Sequence, residues 1–543
     1  MVDYKMGKGV SNMSDTEVLS LSNTKKKGIL RILFSRIVVI LLLIALQVSL
    51  WISVYGWFRD YLPHFSVFTT LFTFVMFVYL FNAVMDASAK ITWLFIMSLA
   101  PIPASIFLAY TKSNLGHRLI RKRVDALTQE NLHKLPQDET ILDRIGADRN
   151  GTDDLCRYVA KTGCYPIFGN TEVTYYPLGE EMFQDMLEEL AKAEHFIFME
   201  YFIVQEGYMW GRILKILADK AKAGVDVRVM YDGMCEITLL PYNYPKLMEK
   251  EGIKCKEFSP LTPFLSTHYN NRDHRKILVI DGKVAFNGGV NLADEYINHV
   301  QVYGQWKDTA VRLKGDAAAS FTLMFLQMWN IDEKEPEFDR FLNLQDSEKK
   351  TEAGIAGAPR AAGYIMPYAD SPLDGEKVGE SVYIDILYRA NDYVHIMTPY
   401  LILDGELETA LKFAAQRGVD VKLILPGIPD KITAYALAKT HYYELVRAGV
   451  QIYEYTPGFV HAKVFVSDDE KAVVGTINLD YRSLYHHFEC ATFLYKTDCV
   501  ADIEADYQAT LQQCRQVTFE TIKKEKIWMK LLGQFMKLLA PMM

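Results

Sequence analysis

The sequence predicts an α/β protein built from two pseudo-symmetric halves, each a mixed sheet flanked by helices, with N-terminal transmembrane helices in front of them. Three observations predict this class. Apolar stretches are concentrated in the first 120 residues, strand-like and helix-like runs alternate through the remainder, and the second set of runs repeats the first.

The N-terminal region, 1–120, carries apolar stretches at 37–57, 65–84 and 91–110, which amount to two to three transmembrane segments. The first starts late and lacks a small-residue cleavage site, so it does not read as a removable signal peptide. Lys25, Lys26, Lys27, Arg31 and Arg36 precede it, and Lys112, Arg118, Arg121, Lys122 and Arg123 follow the third. Positive charge favours the cytoplasmic side, so both clusters claim that side and the number of crossings must be even. One of the three is then re-entrant or interfacial, and Pro101 and Pro103 make the third a candidate. The expectation is an integral, multi-pass protein of the cell membrane with its main domain in the cytoplasm.

A polar connector, 121–165, leads to the first half, 166–331; a charged, then Gly/Ala-rich linker, 332–363, separates it from the second half, 364–515. "KAKAGVDVRVMYDG" (220–233) is echoed by "FAAQRGVDVKLILPG" (413–427), and "YPKLMEKEGIKCKEFSP" (244–260) by "YYELVRAGVQIYEYTP" (442–457). Each reads as the end of a helix, a Gly at the turn and an apolar strand. "HFIFMEYFIV" (195–204) pairs in the same way with "DYVHIMTPYLIL" (392–403). The net charge of −8 argues against a general polyanion binder, hence against nucleic acid as partner. Seven scattered cysteines without CxxC spacing fit reduced structural thiols.

The repeat carries its chemistry with it. His274, Lys276 and Asp281 have the spacing H-x-K-x4-D, and so do His461, Lys463 and Asp468, 187 residues later. Gly288 and Gly475 share that offset, so the segments align without a gap. One such pattern arises by chance; two inside a matched repeat, followed by "GGVN" and "GTIN", are a specific signal. Strand alternation puts His274 and Lys276 on one face and Arg275 on the other, where ion pairing or lipid contact suits it better than catalysis. Two converging His–Lys pairs suit a phosphodiester. Lysines, with amide donors from Asn291 and Asn478, stabilise charge on the non-bridging oxygens, one imidazole attacks phosphorus, and the other protonates the leaving oxygen. Asp281 and Asp468 sit at strand ends, where fixing a turn or the site is a better role than proton transfer. Each catalytic imidazole needs an acceptor behind it: Asp308 in "QWKD" is the candidate for His274, and Glu489 in "HHFE" for His461. No metal and no cofactor is called for.

These motifs, together with "TPYLIL", "YEYTPGFVHAKVFV" and "VVGTINLDYRS", resemble the phospholipase D superfamily and, within it, the bacterial cardiolipin synthases. The resemblance covers essentially everything after the first apolar stretch. It implies that two phosphatidylglycerols give cardiolipin and glycerol through a phosphatidyl-histidine intermediate, with anionic membrane lipids as partners. It also implies His274 as the nucleophile and His461 as the general acid/base. Ala293, where Gly is frequent, and the extra apolar stretch depart from the pattern. Competing readings are a membrane-bound hydrolase, a phosphatidyltransferase with another alcohol acceptor, a nuclease, and an inactive scaffold. The last segment, 516–543, is a basic amphipathic helix in which Ile527, Trp528, Leu531, Leu532, Phe535, Leu538 and Leu539 recur at helical spacing. It suits either an anionic membrane surface or packing on the main domain.

Overall fold

The computed structural model describes residues 18–21, 45, 49, 52–57, 59, 65–83, 85–113, 115–241, 243–259, 271–342 and 362–542. Most of the first predicted span and much of the linker, 343–361, lie outside these residues.

The first half holds β1 (Thr171–Tyr176), β2 (Phe196–Tyr201), β3 (Asp226–Asp232), β4 (Lys254–Phe258), β5 (Arg272–Asp273), β6 (Lys276–Ile280), β7 (Val284–Gly288), β8 (Gln305–Lys307) and β9 (Ala310–Gly315). The second holds β10 (Tyr364–Asp370), β11 (Tyr393–Met397), β12 (Asp420–Pro426), β13 (Gln451–Tyr455), β14 (Gly458–Val460), β15 (Val464–Ser467), β16 (Lys471–Gly475), β17 (His487–Tyr495) and β18 (Cys514–Gln516). The strand orders are β1-β9-β7-β6-β2-β3-β4 and β10-β17-β16-β15-β11-β12-β13-β18. Apart from β18, every strand of the second order has its counterpart at the same place in the first. In both sheets the last three counterparts run parallel and the rest antiparallel, so both are mixed, as the repeat predicts.

The turns follow from the glycines that the repeat marks. Gly224 and Gly418, ahead of β3 and β12, have φ of 98° and 100°, a region that L side chains avoid. The two sheets share one apolar core: Phe198 and Val279 of the first belong to the same buried cluster as Val394 and Val464 of the second. Helix Ala318–Trp329 lies in this core with every residue buried but Gln327.

The N-terminal region departs from expectation. Among the described residues no helix is long and apolar enough to cross a membrane. Helix α1 (Phe65–Asn82) occupies the second predicted stretch and is about 27 Å long at 1.5 Å per residue. The third stretch is two helices, α2 (Ala87–Leu99) and α3 (Pro101–Ser113), because Pro101 cannot donate the backbone bond that would continue α2. Trp93 and Phe107, seven residues either side of the break, bring their rings to 5.7 Å, so the two helices fold back on each other as a hairpin. Leu80, Trp93, Met97, Ala104 and Leu108 form a small core of their own.

At the C-terminus, α4 (Ile432–Arg447) is covered by α5 (Ile527–Leu539). Met529 and Gly533 are the buried positions of α5, and a Cβ at Gly533 would collide with the Ala436 carbonyl oxygen of α4. Ile527, Trp528, Leu531 and Phe535 stay exposed. The helix therefore packs on the main domain and still presents a second apolar face.

Candidate active site

Each half brings its histidine to the junction of the sheets by the same device. Strand β5, just ahead of His274, pairs in parallel with the start of β17 in the other half. Strand β14, just ahead of His461, pairs in parallel with β8. The His274 N–H donates to the Phe488 carbonyl at 2.9 Å, and the His461 N–H to the Lys307 carbonyl at 2.7 Å. Phe488 and Lys307 each precede a carboxylate residue, so each pairing delivers that carboxylate to the histidine opposite.

The orienting pairs are therefore crossed. His274 Nδ1 lies 2.9 and 3.0 Å from the two Glu489 oxygens, and His461 Nδ1 lies 2.7 Å from Asp308 Oδ2. The expectation that Asp308 serves His274 and Glu489 serves His461 is corrected. Both carboxylates sit against a motif histidine, but one of the opposite half. The Thr476 hydroxyl donates to Glu489 and fixes it from behind.

Lys276 and Lys463 point with their histidines, as alternation requires. The Lys276 ammonium donates to the His274 carbonyl at 2.5 Å, and Lys463 lies 2.9 Å from His461 Nδ1 and also donates to its carbonyl. Both are buried. Burial lowers Lys276 to about 8 and Lys463 to about 7 against the pull of the nearby carboxylates. Burial, then Lys463, lowers His461 to about 4, and burial, then Lys276, holds His274 well below the usual imidazole value. Burial opposes ionisation of Asp308, but His461 and Lys463 outweigh it and keep the carboxyl below its usual range. Glu489 goes the other way, raised by burial despite Lys276. The two histidines thus face unequal partners.

Asp281 and Asp468 are not brought to this point. Each stands at the far end of the strand after its lysine, about 16 Å away for five residues of extended chain. The Asp281 carboxylate accepts the N–H groups of Glu194, His195 and Phe196 at 2.7–2.8 Å; Asp468 does the same for Asn391, Asp392 and Tyr393 at 2.8–3.0 Å. Each is in the left-handed region, with φ of 51° and 54°. Membership of the H-x-K-x4-D motif therefore does not make them catalytic: they tie the turn after the motif strand to the start of the neighbouring strand. Arg275 is buried on the opposite face, 2.5 Å from Glu200 and 3.4 Å from Asp273, which makes it an ion-pairing residue.

The site opens into a cleft of about 650 Å³ whose lining includes His274, His461, Asn291 and Asn478. Asn291 Nδ2 donates to the Tyr296 hydroxyl at 2.8 Å and its oxygen accepts from Ile203 N–H, whereas Asn478 Oδ1 has no partner. The remaining wall includes the aromatic rings of Phe202, Tyr296, Tyr303, Trp306, Tyr400 and Tyr481. Phe202 meets His274 at 4.9 Å, and Tyr296 and Trp306 meet His461 at 5.3 and 5.4 Å. Sequence reasoning missed these rings and also His487, whose ring centre is 5.3 Å from that of His274. Position alone could have found Trp306 and His487: each stands two residues before its carboxylate and so shares its side of an extended strand. His274, His487 and Glu489 offer three ligand atoms within 4.8 Å of one another, but Lys276 stands among them, and its ammonium suits an anion rather than a cation.

A fold of two matched sheets, with paired His–Lys sets at their junction and a carboxylate behind each histidine, defines a phosphodiester-transfer enzyme of the phospholipase D type. The comparisons place it more closely. A family described as "Cardiolipin synthase, PLD-like domain" matches residues 186–329 and 383–511. A cardiolipin synthase of Alkalihalophilus pseudofirmus is 31% identical over 88% of this chain and 93% of its own length. An uncharacterised protein of Streptococcus mutans is 56% identical over 86% of this chain and 99% of its own. The crystal structure of a phosphatidylserine synthase from Haemophilus influenzae is similar in fold, with a TM-score of 0.52 at 16% identity over 68% of this chain and 95% of that one. The chain belongs to the cardiolipin synthase family.

Proposed function

We propose that the protein makes cardiolipin from two molecules of phosphatidylglycerol. His274 Nε2 attacks the phosphorus of the first. The bond from phosphorus to the headgroup glycerol breaks, and His461 gives that oxygen its proton. Glycerol leaves and the phosphatidyl group stays on His274. A hydroxyl of the second phosphatidylglycerol then takes the vacated place, loses its proton to His461 and attacks phosphorus. The phosphorus–nitrogen bond breaks and cardiolipin leaves. Lys276 and Lys463 balance the charge on the non-bridging oxygens throughout. The approach of that negative charge also favours the imidazolium form that His461 needs as an acid. The observation that carries the reading is the crossed set of carboxylates, which engages Nδ1 of both imidazoles and leaves Nε2 of each for the reaction, that of His461 3.1 Å from the Lys463 ammonium.

The cleft lies beside α2 and the end of α5. Ala540, just past α5, and Tyr481 line it, Tyr481 reaches the Ser88 side chain of α2, and the Thr92 hydroxyl lies 2.7 Å from the Leu538 carbonyl. Helices α2 and α5 therefore stand beside the cleft, and Ile91, Leu99, Trp528 and Leu531 are exposed on them. We place these faces in the membrane, where the acyl chains of both lipids remain while their headgroups enter the cleft. On this reading the α2–α3 hairpin dips in and returns, and the catalytic domain stays on the cytoplasmic side.

The test is the product formed by purified protein on vesicles of phosphatidylglycerol alone. Cardiolipin with equimolar glycerol is expected. Phosphatidic acid as the main product would make the protein a hydrolase, and turnover only with an added alcohol would make it a different phosphatidyltransferase.

A further inference from the structure

His487 is used by nothing described so far, yet its placement is costly to leave idle. It is 7% exposed, lines the cleft, and neither ring nitrogen has a hydrogen-bond partner among the described residues. Its nearest acceptor, Glu489 Oε1, is 3.6 Å from Nδ1, beyond hydrogen-bonding reach and already engaged with His274. A buried polar group without a partner is destabilising, so a site that keeps one open keeps it for a ligand.

The internal symmetry shows that the fold does not demand an imidazole here. The matching position, two residues before Asp308, is Trp306, which packs on His461 at 5.4 Å much as His487 packs on His274 at 5.3 Å. A ring is what the packing requires; an imidazole on the His274 side is an addition. Burial, then Arg482, holds its pKa well below the usual value, so the ring is neutral and offers one N–H donor. It stands beside the nucleophile and Lys276, whereas the leaving and entering oxygens must lie across the phosphorus, towards His461. It is therefore placed to touch the phosphatidyl group itself, not the glycerol.

We propose that His487 is a third catalytic imidazole, which donates its ring N–H to a non-bridging oxygen of the phosphatidyl group as it passes onto and off His274. This rests on the phosphatidyl-transfer reading above. The proton is not transferred; the bond shortens as charge builds on the oxygen, which is the condition under which a donor accelerates the step.

The experiment compares His487→Phe, which keeps the ring and loses the donor, with His487→Asn, whose side-chain N–H stands near the place of Nδ1. Phosphatidylglycerol carrying sulfur at one or the other non-bridging position is the probe, in the full-length protein on vesicles, alongside the natural lipid. The Phe variant is expected to keep the melting temperature and lose about 100-fold in kcat. The Asn variant should stay within about tenfold of wild type. Wild type should discriminate between the two sulfur diastereomers, and the Phe variant should discriminate at least tenfold less. Wild-type turnover by the Phe variant, equal losses in Phe and Asn, or unchanged discrimination would each overturn the proposal. A wild type that forms no lipid product at all sinks the phosphatidyl-transfer reading and this one together.

Discussion

Glu489 and Asp308 do unequal work because the groups around them differ. Asp308 is held ionised by His461 and Lys463, while burial raises Glu489 and favours its neutral carboxyl, so His274 has a less readily ionised partner behind it. Since the pairs are crossed, Glu489→Gln should slow the formation of phosphatidyl-enzyme, and Asp308→Asn should slow proton transfer at glycerol and at the acceptor hydroxyl. Losses of about 10²–10⁴-fold are expected, the upper end matching the cost of disorienting a catalytic imidazole in other triads. Rapid quench with radiolabelled phosphatidylglycerol separates the cases: label on His274 in Asp308→Asn and none in Glu489→Gln would agree, and the reverse would undo the crossed assignment. The lysines set the pH dependence. An ammonium is charged below its pKa, so raising the pH through about 7 and then about 8 discharges Lys463 and Lys276 in turn. For the free enzyme, kcat/KM should therefore fall on the alkaline side from pH 7 upward. Lys463→Arg, which does not titrate in this range, should move the onset of that fall towards pH 8; an unmoved profile would assign the limb to other groups.

Helix α5 has two apolar faces with two different tasks. Gly533 lets its backbone close onto the Ala436 carbonyl of α4, so Gly533→Leu should cost about 1–3 kcal/mol and lower the melting temperature in detergent. Trp528, Leu531 and Phe535 are 49–66% exposed, so replacing all three by Ser should leave that temperature unchanged. On phosphatidylglycerol vesicles the triple variant should show a raised KM with kcat preserved; unchanged vesicle kinetics would show that the exposed face has no membrane role. Of these two tasks the sequence displays the periodicity and the lysines, but not which apolar residue meets the domain, because that depends on α4. Elsewhere the elements were legible where local chemistry decides them. The glycines at 224, 252, 418 and 449 all take the positive φ that ends a helix and admits a strand. The hairpin in 91–110 was visible as Pro101, though hydropathy alone reads through it.

At the scale of the molecule, the site belongs to neither half. The repeat made the two motifs and their common strand order readable from the sequence. It could not reveal that Glu489 and Asp308 cross, because the crossing is made by β5, β8 and β14, strands of two or three residues with no periodicity to detect. These short pairings, and a core that runs from Phe198 to Val464 without interruption, hold the halves together independently of the covalent link between them. A protease site placed within 343–361 tests this. After cleavage the two pieces should co-elute in detergent and retain most of the activity, since the contacts described for His274 and His461 lie outside the cut segment. The association has a large apolar contribution, at roughly 25 cal/mol for each Å² of buried apolar surface, so it should survive high salt. Separation of the pieces, with activity lost in step, would mean that the linker and not the shared core holds the two halves of the site in register.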